Sequence, residues 1–326
     1  MLHEMMSFFR LTKEFQDVDY FDTPESKKTF REIITLLETG NRIIALTGIV
    51  GSGKTTMCEN IWKHAQQNRN IFISTSYSIE IDKVSVKSLE RALFSDLASK
   101  KFKVARVNEN REKQLCELIR KKNRPVALFV DEAHKLKINT LLCLKRLSEL
   151  NRLWENKFSI VLCGLPKLAT TLQDSKYEQI GARVRKISLD VIAGREKEFI
   201  EWIIEQCTSA KVKPNDLFTV PAIKLLAETL RTPLQIIYYS WSALEFAYKA
   251  GIKIVDVETV RKSLSPNINS LYSNLMRQGF SEKLLSEILD LKRSEIRKFL
   301  KGQLPDNKMI DINSKLLQLG IVDKAG

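Results

Sequence analysis

Two short segments hold residues whose types and spacing suit phosphoryl transfer to water. The first, TGIVGSGKTT, runs from Thr47 to Thr56. Gly48, Gly51 and Gly53 let the backbone curl until its N–H groups converge on phosphate oxygens, a path that a side chain at Gly53 would obstruct. Ser52 and Thr56 belong to the same cradle. Lys54 can reach the β- and γ-phosphates, and the Thr55 hydroxyl can hold Mg²⁺. The second segment, PVALFVDEAH, runs from Pro125 to His134. Asp131, at the end of its apolar run, suits Mg²⁺ held through water, and Glu132 suits the task of polarising an attacking water. The chemistry this pair of segments could perform is hydrolysis of ATP with Mg²⁺.

Such residues work only if strands and helices present them together. The apolar run Ile43 to Leu46 predicts the strand before the glycine loop. Thr55 through His64 predicts the helix after it, whose N-terminal dipole faces the anion. Val126 to Val130 is apolar without alternation, as in a parallel strand covered on both faces. Further strands are predicted at Ile71–Ser76, Ser159–Cys163 and Lys186–Leu189, with helical segments between them. That alternation calls for a three-layer α/β fold with a parallel sheet. From Gly194 onward the strands stop, and helices are predicted at Lys197–Cys207, Pro221–Leu230, Pro233–Ala250 and Val257–Leu264. The chain thus divides into an N-terminal extension (1–28), an α/β nucleotide-binding core (29–193), a helical lid (194–265) and a helical tail (266–326).

Composition narrows the setting. The 326 residues carry a net charge of +14. Ten Lys or Arg against three Glu lie between Lys100 and Arg124, half of that excess in one stretch, which points to a polyanion such as nucleic acid. Lys100, Lys101, Lys103 and Arg106 are the candidate phosphate contacts, and a solvated helix face is the plain alternative. Five widely spaced cysteines with no C-x-x-C pair read as small core residues of a cytoplasmic protein. No run approaches the ~20 apolar residues of a membrane span, so no membrane partner is expected.

In the tail, Ser281–Leu289 and Lys292–Leu300 predict two short amphipathic helices about a tight junction at Asp290-Leu291. The pair resembles a helix-turn-helix, with Lys292, Arg293, Arg297, Lys298 and Lys301 outside on the second helix. It could dock on a protein partner or on DNA.

Asp131-Glu132-Ala133-His134 also spells a helicase motif, but the second domain and its arginine pair are absent from the chain. The α/β core followed by an all-helical lid is instead the architecture of the AAA+ ATPases. DYFDTP, TGIVGSGKTT, DEAHKL, IVLCGLPKL and QIGARVRKISL, in that order, resemble the transposon-encoded AAA+ regulators of the TnsC/TniB group and the related ExeA-type secretion ATPases. The likeness covers roughly residues 10 to 265 and leans towards the TnsC proteins of elements that borrow CRISPR machinery. It implies an ATPase that assembles as a homo-oligomeric ring or helical filament around double-stranded DNA. Such a protein marks target DNA and recruits or activates a transposase, in company with target-selection proteins. The ExeA relatives imply the alternative, an ATPase of secretion or stress response without DNA. An initiator ATPase of the Orc/Cdc6 kind would call for a winged helix larger than this tail.

The resemblance also assigns residues. Arg183 falls where an arginine finger reaches a neighbouring protomer's γ-phosphate, with Arg185 the alternative. Tyr20 and Phe21 match an aromatic pair near adenine, or serve the core. Two departures stand out. Cys163-Gly164-Leu165 offers no polar sensor after the fourth strand, and Leu234 stands where the lid arginine belongs. Arg231 could substitute from next to the lid turn, while Thr232 and Gln235 have the spacing of a helix cap.

Overall fold

The strands are β1 (Ile43–Thr47), β2 (Phe72–Ser76), β3 (Val126–Val130), β4 (Phe158–Gly164) and β5 (Val184–Ser188). The computed structural model describes residues 2–76, 85–99, 102–174, 177–209, 212–266 and 268–321. All strand pairs are parallel and the order is β2-β3-β4-β1-β5. β1, β3 and β4 are buried throughout, as strands with neighbours on both sides and helices on both faces must be. β5 is an edge strand, and only Ile187 of it is buried. The chain has the three-layer α/β architecture expected of an AAA+ core.

By packing, the chain forms two units. One comprises Met1–Ser26, Val50–Gly53 and Asp190–Asn274; the other comprises Lys27–Ile49, Lys54–Leu189 and Leu275–Gly326. The first holds α1 (Leu2–Phe9) and the lid helices α9 (Glu196–Cys207), α10 (Pro214–Leu217), α11 (Val220–Thr229), α12 (Pro233–Lys249) and α13 (Val257–Ser263). Its core joins both ends of its sequence. Leu11 bridges to Thr208, and Phe8 and Phe15 pack edge-on against Tyr248 and Trp241 of α12.

The second unit holds the sheet with α2 (Pro24–Thr39), α3 (Lys54–Asn68), α4 (Val86–Leu97), α5 (Asn108–Lys121), α6 (Ile138–Leu153), α7 (Lys167–Thr171) and α8 (Glu178–Gly181). α2 starts at Pro24 because Thr23 and Ser26 bond each other's backbone N–H at 3.0 Å and Pro fits the first helical position.

The described residues of the tail form four helices, two more than the pair expected. α14 (Leu271–Arg277) and α17 (Asp306–Gln318) flank α15 (Glu282–Leu289) and α16 (Arg293–Leu300). From Leu275 onward the tail groups with the sheet. The Lys167 N–H donates to the Gln278 carbonyl (3.2 Å). Gly279 (φ +93°) lies so close to Leu165 that a Cβ there would sit 3.1 Å from its Cδ1.

Candidate nucleotide site

In a parallel sheet the carboxyl ends of all strands share one edge, and ligands gather there. Asp131 follows the last residue of β3, and Gly48 follows the last residue of β1. The Gly48 N–H donates to the Gly164 carbonyl at the end of β4 (3.2 Å). α3 begins at Lys54, so Thr55 and Thr56 occupy its first turn and are exposed. The Lys54 ammonium is turned back onto the Gly48 and Ile49 carbonyls at 2.8 and 2.9 Å. Burial lowers its pKa, and the nearby carboxylates of Asp131 and Glu132 oppose that shift. Thr55 and Asp131 line one cavity of about 380 Å³ with Cys58, Phe129 and Cys163. Lys54, Thr55, Asp131 and Glu132 therefore converge within one packing unit.

The apex of the glycine loop packs in the other unit. Gly51 (φ +80°) and Gly53 (φ +90°) occupy the left-handed region that favours glycine. A Cβ on Gly51 would fall 2.6 Å from Leu234 Cβ. The Leu234 N–H donates to the Gly51 carbonyl (3.4 Å), so the residue standing at the lid-arginine position holds the loop through its backbone. The Thr232 hydroxyl caps α12 by accepting from the Gln235 N–H (3.3 Å), and Gln235 Oε1 accepts from the Arg231 N–H (2.9 Å). The cap read from the sequence is present, and the Arg231 side chain is exposed.

Glu132 adopts a left-handed backbone (φ 51°), uncommon outside glycine, and its N–H bonds Asp131 Oδ1 at 2.8 Å. Its carboxylate lies 3.3 Å from Lys135 Nζ and 3.7 Å from His134 Nε2. His134 is partly buried, its side chain 7% exposed; its Nδ1 accepts from the Leu165 N–H (3.4 Å). Burial pushes the His134 pKa down, against the pull of Glu132. Sequence reading missed this pairing, although the three-residue spacing of Glu132 and Lys135 in the DEAHK run signals it.

Arg183 sits at the opposite end of the sheet. It precedes β5, whose first residue is level with Ile43 of β1. The glycine loop begins beyond the other end of β1, about 16 Å along the strand at ~3.3 Å per residue. Arg183 pairs with Glu149 of α6, and Arg185 makes a two-pronged contact with Glu32 of α2 at 2.7 and 2.9 Å.

Tyr20 and Phe21 precede α2. Burial raises the Tyr20 pKa. Phe21 packs edge-on against Phe199 and tilted against Trp202 of α9 (5.2 and 5.0 Å). Lys103 and Arg106 are exposed in the segment before α5, and Lys100 and Lys101 lie outside the described residues. The cysteines are less uniform than small core residues would be. Cys143 is exposed, and half-buried Cys58 touches buried Cys163 at 3.2 Å.

Residues 37–172, which hold both chemistry-bearing segments, match the family described as AAA domain. That segment is similar to the AAA domain family. No curated protein sequence matches it. Solved structures similar to the chain share the fold. The Aeropyrum pernix ORC2 protein in its ADPNP-ADP complexes is 15% identical, with a TM-score of 0.62 over 96% of this chain and 91% of that one. CDC6P from Pyrobaculum aerophilum is 14% identical, with a TM-score of 0.57 over 98% and 90%. The Aeropyrum pernix ORC1 protein in complex with DNA is 14% identical, with a TM-score of 0.53 over 97% and 91%. These spans take in the tail as well as residues 37–172.

The residues of the matched segment fit a bound nucleotide and Mg²⁺. Ser52 Oγ is buried without a hydrogen-bond partner among the described residues, a costly state unless a ligand satisfies it. The glycines on either side of it have positive φ, the backbone type from which anion-binding N–H concavities are built. Thr55 and Asp131 supply the hydroxyl and carboxylate oxygens that Mg²⁺ accepts.

Proposed function

We propose that this chain is an ATP-hydrolysing switch that assembles on double-stranded DNA. The observation that carries the reading is the division of the site across one sheet: Lys54, Thr55, Asp131 and Glu132 at one end, Arg183 at the other. A protomer arranged this way lacks its own finger at its own phosphates and gains one only from a neighbour, so hydrolysis is tied to oligomerisation. Gly48, Gly51, Ser52, Gly53 and Thr56 cradle the phosphates, and Lys54 leaves the Gly48 and Ile49 carbonyls to meet them. Mg²⁺, held by Thr55 and Asp131, supplies charge that offsets the phosphate oxygens. Glu132 leaves Lys135 to orient the attacking water. Tyr20, Phe21 and Arg231 are assigned to the base and lid side of the nucleotide.

DNA is the polyanion we assign to the basic segment holding Lys100, Lys101, Lys103 and Arg106. The ORC1 structure in complex with DNA and the ORC2 structure with ADPNP and ADP support both ligands on this fold. The ordered motifs shared with the TnsC/TniB group extend the proposal to transposition in the cytoplasm, where a ring or filament marks target DNA and recruits or activates a transposase. No described helix is long and apolar enough to cross a membrane. The test is a gel shift on random duplex DNA with and without non-hydrolysable ATP. ATP-dependent, higher-order complexes are expected; DNA binding that ignores nucleotide, or none at all, overturns the reading.

A further inference from the structure

The tail carries a second surface that the switch does not use. α15 ends at Asp290, whose backbone is left-handed (φ 51°, ψ 48°). It does there what glycine usually does in the turn of a helix-turn-helix. The Leu291 N–H donates to the Ser286 carbonyl (3.1 Å), and the Ser286 hydroxyl donates to the Leu291 carbonyl. This three-residue junction, Asp290 to Lys292, is thus fixed from α15 rather than left as a linker. Leu285 and Leu289 of α15, Ile296 and Phe299 of α16, and Ile312 and Leu316 of α17 are all buried. The three helices close a small core, and α16 is locked with one face inward and the other outward.

The outward face has the chemistry of a nucleic-acid reader. Lys292, Arg293, Ser294, Lys298 and Lys301 are exposed. None of the four cations among them has an ion pair among the described residues, whereas Arg297 is engaged by Glu282 (3.0 Å) and Lys308 by Glu295 (2.6 Å). No side chain caps the N-terminus of α16, leaving first-turn N–H groups of a kind that bind phosphate. The described tail residues contain no strand, so a wing is not among the contacts available to them. A protein partner would need a complementary acidic surface, for which nothing in the molecule argues. A duplex major groove fits both the width of one helix and this charge.

We propose that α16 is a recognition helix that reads base edges in double-stranded DNA. It gives the chain a sequence-dependent contact separate from the phosphate grip of the AAA domain. Arg293 and Ser294, at the N-terminal end, face the bases; Lys292, Lys298 and Lys301 hold the flanking phosphates. This surface lies outside the nucleotide site and stands or falls independently of the assembly reading.

The test selects from duplexes with a randomised core, using the full chain without nucleotide and, in parallel, with ATP. Wild type is expected to enrich one motif in both conditions. Arg293→Ala should lose discrimination at one or two positions of that motif by roughly 10- to 100-fold. Arg293→Lys should keep overall affinity but lose the same discrimination, because an ammonium cannot replace a two-pronged guanidinium. Lys301→Ala should weaken all sequences alike and lower the salt slope by about 0.9. Circular dichroism and ATP hydrolysis should match wild type in each variant. No enrichment by wild type overturns the proposal, as does enrichment that survives Arg293→Ala. Loss of nothing but a protein partner in a pull-down also overturns it and assigns the face to protein. A failure of ATP-dependent assembly with the motif intact would count against the switch alone.

Discussion

Lys135 Nζ lies 3.3 Å from Glu132 Oε2, so the carboxylate assigned to the attacking water is held by a cation three residues away. Both side chains are more than a third exposed, and exposed pairs contribute about 0–1 kcal/mol. The tether is weak enough to open in every catalytic cycle. Lys135→Ala is expected to raise basal ATP hydrolysis by up to roughly fivefold, the equivalent of about 1 kcal/mol. A steady-state phosphate-release assay checks this, and a slower enzyme would show that Lys135 positions Glu132 rather than restraining it.

Glu132→Gln keeps the shape of the side chain and removes the charge that aligns water. It is expected to bind ATP, hydrolyse it slowly and hold the assembled state. Lys54→Ala should lose nucleotide binding and assembly together. Light scattering with ATP and DNA separates the two, and equal assembly by both variants would contradict a nucleotide-driven switch.

Arg183 and the glycine loop lie at opposite ends of β1 and β5, so a finger at Arg183, as proposed, would act on a neighbour. Arg183→Ala should slow hydrolysis by ~10³–10⁵, the range for such residues. Mixing it with Lys54→Ala should restore part of the rate, because mixed interfaces pair an intact loop with an intact finger. Absence of rescue at every mixing ratio, with both variants folded, rules out action in trans. Arg185→Ala, which removes the contact with Glu32, serves as the comparison.

Replacing Lys100, Lys101 and Lys103 together by Ala should flatten the plot of log K against log salt by roughly 2–3, at ~0.9 per lost phosphate contact. Arg106→Ala should remove about one contact more. An unchanged slope places the grip elsewhere.

The fold was legible wherever burial dictated composition. Ile43–Leu46 and Val126–Val130 are continuous apolar runs because both faces of those strands are covered; β3 matches its run to the residue, and β1 extends one residue further, to Thr47. β5 was read late and short. Edge position leaves Arg185 and Lys186 exposed, so the strand carries no apolar run to mark where it starts. α1 and α17 escaped for a different reason. LHEMMSFF spans about two turns, too short to show a period, and Asp306–Gln318 buries only Ile312 and Leu316.

Within the site, glycine spacing and the acidic pair announced themselves because phosphate and metal chemistry constrain neighbouring residues. The contact of Cys58 with Cys163 spans 105 residues and depends on how α3 lies on β4, which no local pattern encodes. The grip of Leu234 on Gly51 is made by backbone atoms and leaves no mark in side-chain type.

Strand order also sets a timetable for synthesis. β1 is paired on both sides by strands made much later: Ile43 meets Ile160 of β4 and Val184 of β5. The Thr47 hydroxyl donates to the Ile187 carbonyl, 140 residues downstream. At roughly 5–20 residues per second, the ribosome needs on the order of 10 s to supply those partners. During that interval Ile43–Leu46 is an uncovered apolar segment on the nascent chain. Chaperone capture of ribosome-bound chains should therefore peak before residue 188 emerges and fall once β5 is out.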